Sequence, residues 1–184
     1  VQQQAYYNAP NQVVEFESPG DLVPHQLYFD GPRLVGPESI KHARETSGYQ
    51  DSMYLIYSAV SVNAVLTSDS GEDYKVRVTV DGEYLTEENK GADITIGSDG
   101  ESYIMVTGSR LYEVLANPQY QRRQHLTMSS NSMDFGFLPS PSTFTRSAPD
   151  AFLGFALQLS SSFTGTHRHV GRDHRRSHLA GGYL

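Results

Sequence analysis

Hydrophobic and polar residues alternate along several short stretches of this chain, most clearly between residues 73 and 128. In Tyr74–Val80 every second residue is apolar or aromatic, and the residues between them are polar. Such alternation indicates a β-strand with one face against a core and the other in solvent. The pair Asp81-Gly82 follows at once and favours a tight hairpin turn, because both residue types tolerate positive φ angles. We therefore predict a β-hairpin that returns through Glu83–Leu85.

Further short strands are predicted on both sides of this hairpin, each rich in β-branched or aromatic residues and bounded by turn-forming residues. They are Val13–Glu17, Gln26–Phe29, Ser52–Ala59, Val60–Leu66, Ala92–Ile96, Ser102–Val106, Arg110–Leu115 and Gln124–Met128. In Val60–Leu66 the residues expected to face the core are Val60, Val62, Ala64 and Leu66. We expect Asn117-Pro118 to end a strand, and strand or loop rather than helix over residues 38–48. Short strands at this spacing predict an antiparallel sandwich or barrel.

An ordered series of segments in the same region resembles a known domain. The series covers roughly residues 22–136 and consists of Leu27–Gly31, Gly36–Glu38, Val78–Gly82, Lys90–Asp93, Arg110–Tyr112, His125-Leu126, Ser129–Ser132 and Phe135-Gly136. It resembles the β-sandwich domain at the C-terminus of thioredoxin-like proteins, such as DipZ-type membrane thiol-disulfide proteins and redoxin-domain proteins. No segment of the series carries a catalytic motif, so the resemblance lies in the order of the segments.

We predict an all-β fold, an antiparallel jelly-roll β-sandwich of the class that includes galactose-binding and carbohydrate-binding modules. The sandwich is expected over residues 13–137, after an irregular linker remnant at residues 1–12. Residues 138–184 form a low-complexity tail rich in serine, arginine, histidine and glycine.

Two interpretations of this tail stay open. In the resembling family the chain continues after Gly136 as a strand of alternating aromatics, whereas here Phe137-Leu138 runs into a Pro-Ser-Pro-Ser segment. A strand does not pass through two such prolines in its centre. Either the reading frame is shifted after about Leu138 and the tail is mostly disordered, or the tail is specific to its lineage. In the second case the apolar patch Ala151–Leu159 docks as a replacement strand or short helix.

Composition excludes several kinds of chemistry. The 184 residues include no cysteine, so this chain has no disulfide, thiolate nucleophile or CxxC redox pair. Any thiol chemistry that the resemblance implies must therefore belong to another domain. No apolar run approaches the ~20 residues that span a bilayer, and Val1–Pro10 lacks the basic start of a signal peptide. We expect a soluble chain, or the soluble piece of a larger protein.

The net charge is −7, with the acidic excess in the first 139 residues and a basic excess in the tail. Binding to a phosphate backbone requires concentrated lysine and arginine, so nucleic acid is not an expected partner.

Candidate catalytic and metal-binding residues have simpler explanations. Four histidines fall within the tail, but interleaved arginines repel a cation and no scaffold fixes the ligands. They are His167, His169, His174 and His178. The carboxylates Glu87, Glu88, Asp93, Asp99 and Glu101 surround predicted turns, where solvation accounts for them. The chain has no G-x-S-x-G elbow or phosphate loop. We predict no catalytic residue, no metal site and no cofactor.

The best candidate site is a polar sheet face that presents Lys75, Arg77 and Arg110 for ligand binding. The chain also has twelve tyrosines, which stack on sugar rings or anchor protein interfaces. Core or cross-strand packing is the simpler expectation for four of them, namely Tyr74, Tyr84, Tyr103 and Tyr112.

The resemblance implies a non-catalytic accessory domain that follows a thioredoxin-like domain and binds a partner protein, a substrate or a glycan. It also implies a location outside the cytoplasm, in the periplasm or at the cell surface, although the composition leaves the cytoplasm open. The alternatives are a free-standing carbohydrate-binding, lectin-like protein and a structural module that caps or dimerises its parent. Fold alone does not choose the ligand.

Overall fold

The structure, a computed structural model, describes residues 11–37, 39–137 and 157–160. The described residues form eleven β-strands and no helix. The strands are β1 Gln12–Phe16, β2 Leu27–Val35, β3 Ile40–His42, β4 Ser52–Thr67, β5 Tyr74–Val80, β6 Glu83–Tyr84, β7 Ile94–Ile96, β8 Ser102–Val106, β9 Arg110–Ser130, β10 Gly136–Phe137 and β11 Leu157–Ser160. The all-β prediction is confirmed.

Every strand pairing is antiparallel, and the main order is β1-β2-β3-β10-β4-β9-β5-β8-β7. The first half of β2 pairs with β4, while its second half pairs with β3. Since β3 and β4 are also joined through β10, these strands close into a small barrel to which the other strands are added. A jelly-roll sandwich is not confirmed.

The β5 hairpin agrees with its prediction. Asp81 and Gly82 both have positive φ angles, 53° and 84°, as a tight two-residue turn requires. The apolar positions Tyr74, Val76, Val78 and Val80 are all buried, and they join one core that extends to β2, β4, β8 and β9.

β4 is one strand of sixteen residues where two were predicted, and it pairs with β9 along most of its length. Irregularities in the register occur near Ala59, and there the buried side shifts by one residue. Ala59 and Val62 are both fully buried while Val60 is only half-buried, so the prediction of Val60 as a core residue is wrong.

The prediction that Asn117-Pro118 ends a strand is also wrong, because β9 runs from Arg110 to Ser130 without a break. In the ladder with β4, Ala116 pairs with Ser61 and the next paired residue is Gln121. Pro118 therefore lies in a bulge, where the strand ladder does not need the N–H that proline lacks.

The ends of the chain are described only in part. Residues 1–10 of the predicted linker remnant lie outside the described residues, and Gln12 already belongs to β1. In the tail, Leu157–Ser160 pairs with Ser61–Ala64 of β4, and residues 151–156 of the apolar patch lie outside the described residues. The other tail residues lie outside the described residues.

Candidate functional site

Lys75 and Arg77 lie side by side on the outer face of β5. They are two residues apart, so the alternation that buries Tyr74, Val76 and Val78 turns both cations outward. Each side chain is 32% exposed. The structure thus brings two of the three predicted site residues together.

Glu101 lies between the two cations and is only 8% exposed. Its carboxylate forms an ion pair with Nζ of Lys75 and accepts a hydrogen bond of 2.7 Å from Nε of Arg77. Glu101 is held in place by the turn before β8, where its backbone N–H donates to Asp99 and its carbonyl accepts from Gly97. Burial alone raises the pKa of Glu101, but the bonds from both cations outweigh it and hold the pKa below its usual range.

Two aromatic rings pack against the same cations. Nζ of Lys75 lies 4.1 Å from the ring centroid of Tyr103, and Cζ of Arg77 lies 3.9 Å from that of Tyr49. These distances are typical of cation–π contacts. We call Lys75, Arg77, Glu101, Tyr49 and Tyr103 the β5 cation cluster.

Tyr49 reaches the cluster from the loop before β4, in a left-handed backbone conformation with φ of 56°. Such a conformation costs a non-glycine residue on the order of 1 kcal/mol and persists only where neighbours impose it. Here Asn131 imposes it, since its Oδ1 accepts hydrogen bonds of 2.8 Å from the Tyr49 N–H and the Thr46 hydroxyl. The ring of Tyr49 is therefore fixed over Arg77.

The geometry of the β5 cation cluster permits binding by hydrogen bonds and charge. Burial alone lowers the pKa of Arg77, but the bond to Glu101 outweighs it and raises the pKa, so the guanidinium stays charged. With Lys75 and Glu101 also ionised, the cluster carries one uncompensated positive charge. It contains no thiol, and its hydroxyls belong to tyrosines.

Arg110, the third predicted site residue, lies in a different cluster. Its Nη2 donates to Asp93 at 2.7 Å, and its Cζ lies 3.7 Å from the ring centroid of Tyr112. Asp93 also accepts a 2.7 Å bond from the backbone of Glu113, which fastens the loop before β7 to β9. Arg110 begins β9, whereas Arg77 pairs with Ser129 near the other end of that strand. The prediction of a single face with all three cations is not what the contacts show.

The four tyrosines that were expected in packing roles differ in their burial. Tyr74 and Tyr112 are buried in the core, Tyr103 is half-buried in the β5 cation cluster, and Tyr84 is 41% exposed.

The buried carboxylate of Asp51 is the centre of a polar network that the sequence does not predict. Nε2 of His42 lies 2.5 Å from the carboxylate of Asp51, and its Nδ1 donates to the carbonyl of Ser132 at 3.1 Å. Arg44 donates to both oxygens of Asp51, at 2.7 and 2.5 Å. The backbone at Gly31 passes so close that an added Cβ would overlap this carboxylate. These residues have no distinctive spacing, so only the folded structure joins them.

Arg33 lies near this network and is 2% exposed. Its Cζ lies 5.5 Å from the ring centroid of Phe29 and 5.6 Å from that of Phe135. Its Nη2 donates to the carbonyls of Asp30 and Ser52 at 3.2 and 2.7 Å. Burial lowers the pKa of Arg33 to about 10, which leaves it charged at neutral pH. Both rings of its environment are core residues, so its role is structural.

Within the described part of the chain, no three histidine, aspartate or glutamate side chains are placed to hold a metal ion. The candidate histidines His167, His169, His174 and His178 lie outside it. Among the described residues there is also no helix with the length and apolar character that crossing a bilayer requires.

The described residues form an all-β domain with a fixed polar cluster on its outer face. The chain belongs to the family of the thioredoxin like C-terminal domain, whose model matches residues 2–136. The resemblance seen in the sequence is confirmed by this match. No curated protein matches the chain.

Proposed function

We propose that this chain is a non-catalytic accessory domain of a redoxin-type protein, in which it follows a thioredoxin-like domain. The observation that carries the proposal is the family match over residues 2–136. The absence of cysteine from all 184 residues supports it, because thiol-disulfide exchange requires a thiolate. The redox centre then belongs to the thioredoxin-like domain, and this domain positions it.

In this proposal the β5 cation cluster is the contact surface for a redox partner or substrate protein. Its cations are one-third exposed while their orientation is fixed by Glu101 and Tyr49. A fixed charged surface improves the rate and specificity of encounter more than the chemistry itself. The domain would therefore act on the KM of the thiol reaction rather than on kcat.

The test is the reduction of a protein disulfide by the thioredoxin-like domain encoded upstream in the same reading frame, with and without this domain attached. We expect the isolated chain to give no reduction, and its attachment to lower KM at unchanged kcat. Disulfide reduction by the chain alone, or identical KM values for the two proteins, would contradict the proposal.

Carbohydrate binding is the second candidate, supported by the half-buried rings of Tyr49 and Tyr103 beside two cations. Aromatic rings next to hydrogen-bond donors are what a sugar-binding face needs. The test is a glycan screen with Arg77→Ala and, as a matched control, Arg110→Ala. Saturable binding that Arg77→Ala alone abolishes would support a lectin-like role, and its absence from the whole screen would exclude that role.

We also propose that the parent protein works outside the cytoplasm, which rests on the family resemblance alone. Fractionation of cells expressing the full-length protein tests this, and recovery of the protein with the cytoplasmic fraction would contradict it.

A further inference from the structure

We infer that the β5 cation cluster recognises one carboxylate side chain of a peptide. The inference rests on the proposed function and names the kind of partner that the domain would take.

The first argument is the geometry of Arg77. Glu101 holds the guanidinium through Nε, and Tyr49 packs against its face. Among the described residues, neither terminal Nη nitrogen of Arg77 has a hydrogen-bond partner. A guanidinium fixed in this way presents a planar fork whose two N–H groups match the two oxygens of a carboxylate.

The second argument is charge. The cluster has one uncompensated positive charge, which a single carboxylate neutralises. A dianionic phosphate would reverse the sign of the cluster and would also face a chain with a net charge of −7. The acidic body disfavours unspecific polyanion binding, so recognition has to come from local contacts.

The third argument favours a peptide over a sugar. The ring of Tyr49 and the ring of Tyr103 each have a cation against one face already, so at most the other face of each ring is available to a sugar. Met105 of β8 pairs with Lys75 of β5 and is 43% exposed. It therefore offers a contact beside the cations to an apolar side chain of the peptide.

The fourth argument is independent of the cations. Tyr49 has an unfavourable φ of 56°. Its own N–H and the hydroxyl of Thr46 both donate to the side chain of Asn131, which holds the loop in this conformation. Strained residues of this kind are concentrated at binding sites, where they fix a contact surface before the ligand arrives.

The experiment is fluorescence anisotropy with the full chain and a labelled seven-residue peptide that has a single glutamate at its centre among uncharged residues. Its partner peptide has glutamine instead. We expect the glutamate peptide to bind about tenfold more tightly, and this preference to weaken as salt is added. Arg77→Gln should lower its affinity about tenfold, while Arg77→Lys, which keeps the ion pair with Glu101, should lose part of it.

Arg110→Gln is the matched control, because Arg110 has the same combination of a carboxylate partner and a stacked tyrosine in the other cluster. It should leave peptide binding unchanged. Circular dichroism of each variant checks the fold, and the comparison of the two peptides on the unaltered chain does not depend on any variant.

Equal binding of the two peptides, binding of neither, or equal losses in Arg77→Gln and Arg110→Gln would overturn the inference. Preferential binding of an oligogalacturonate over the glutamate peptide would also overturn it, because the carboxylate that the cluster recognises would then belong to a sugar. If the attached domain still lowers the KM of disulfide reduction, only this inference fails. If the peptide binds and KM does not change, only the proposed function fails.

Discussion

Nε2 of His42 and Oδ2 of Asp51 lie 2.5 Å apart in the interior of the domain, where neither side chain is more than 3% exposed. Arg44 completes the contact by binding both oxygens of the same carboxylate. Because His42 ends β3, Asp51 precedes β4 and Gly31 of β2 packs against them, one carboxylate joins three strands of the barrel.

Asp51→Asn should therefore destabilise the fold strongly. The amide keeps the shape but not the charge, and its NH2 group replaces one of the two oxygens that His42 and Arg44 bind. Removing the charge of a carboxylate that is 3% exposed and binds three side-chain nitrogens costs about 3 kcal/mol. The measurement is the free energy of unfolding in urea. Asp69→Asn is the control, since Asp69 pairs with Lys41 at an exposed site and should cost less than about 1 kcal/mol. Equal losses in the two variants would contradict the assigned role of Asp51.

Acid should destabilise the domain because it protonates the carboxylates of Asp51 and Glu101. Burial raises the pKa of Asp51, but hydrogen bonds from Arg44 and His42 outweigh it and hold the pKa below its ordinary value, as for Glu101. A depressed pKa in the folded state stabilises the fold above the unfolded-state pKa of about 4, and this stabilisation is lost as pH falls through the folded-state value.

The measurement is the free energy of unfolding between neutral pH and about pH 3. We expect a decline below about pH 4 that is less steep in Asp51→Asn and in Glu101→Gln. A decline of unchanged steepness in both variants would assign acid unfolding to other carboxylates.

The local elements of this fold are readable from the sequence because each rests on a short pattern. Tyr74–Val80 shows strict alternation, and Asp81-Gly82 is a turn signal of two residues. The placement of Lys75 and Arg77 on one outer face follows from the same alternation.

The remaining features depend on contacts between distant parts of the chain. Glu101 lies 24 residues from Arg77, and the Asp51 network includes the carbonyl of Ser132, so no local pattern reports either of them. Arg110 is polar and on a strand like Arg77, yet the direction of the long, bulged β9 places it in another cluster. Alternation shows which side of a strand a residue occupies, but not which residues meet there.

Gly31→Ala should destabilise the domain much more than Gly71→Ala. Both glycines have positive φ angles, 87° and 76°, so alanine costs about 1 kcal/mol at either position through the backbone alone. At Gly71 nothing lies within 4 Å of the added methyl group, whereas at Gly31 it overlaps the carboxylate of Asp51.

Urea unfolding of the two variants separates the costs. We expect about 1 kcal/mol for Gly71→Ala and at least about 3 kcal/mol for Gly31→Ala, since displacement of Asp51 also breaks its ion pair. Similar losses for both would show that the carboxylate moves aside freely.

Pro118→Ala should have little effect on stability even though Pro118 lies inside the longest strand. Pro118 is exposed and lies in the bulge between two paired residues of β9, Ala116 and Gln121. Alanine there restores an N–H that the ladder does not need, and it only increases the freedom of the unfolded chain, at a cost below about 1 kcal/mol.

Val114→Ala in the same strand is the comparison, because Val114 is fully buried and its truncation should cost about 2 kcal/mol. The two variants are compared by their unfolding free energies in urea. A loss in Pro118→Ala as large as that in Val114→Ala would mean that the proline itself fixes the bend of β9.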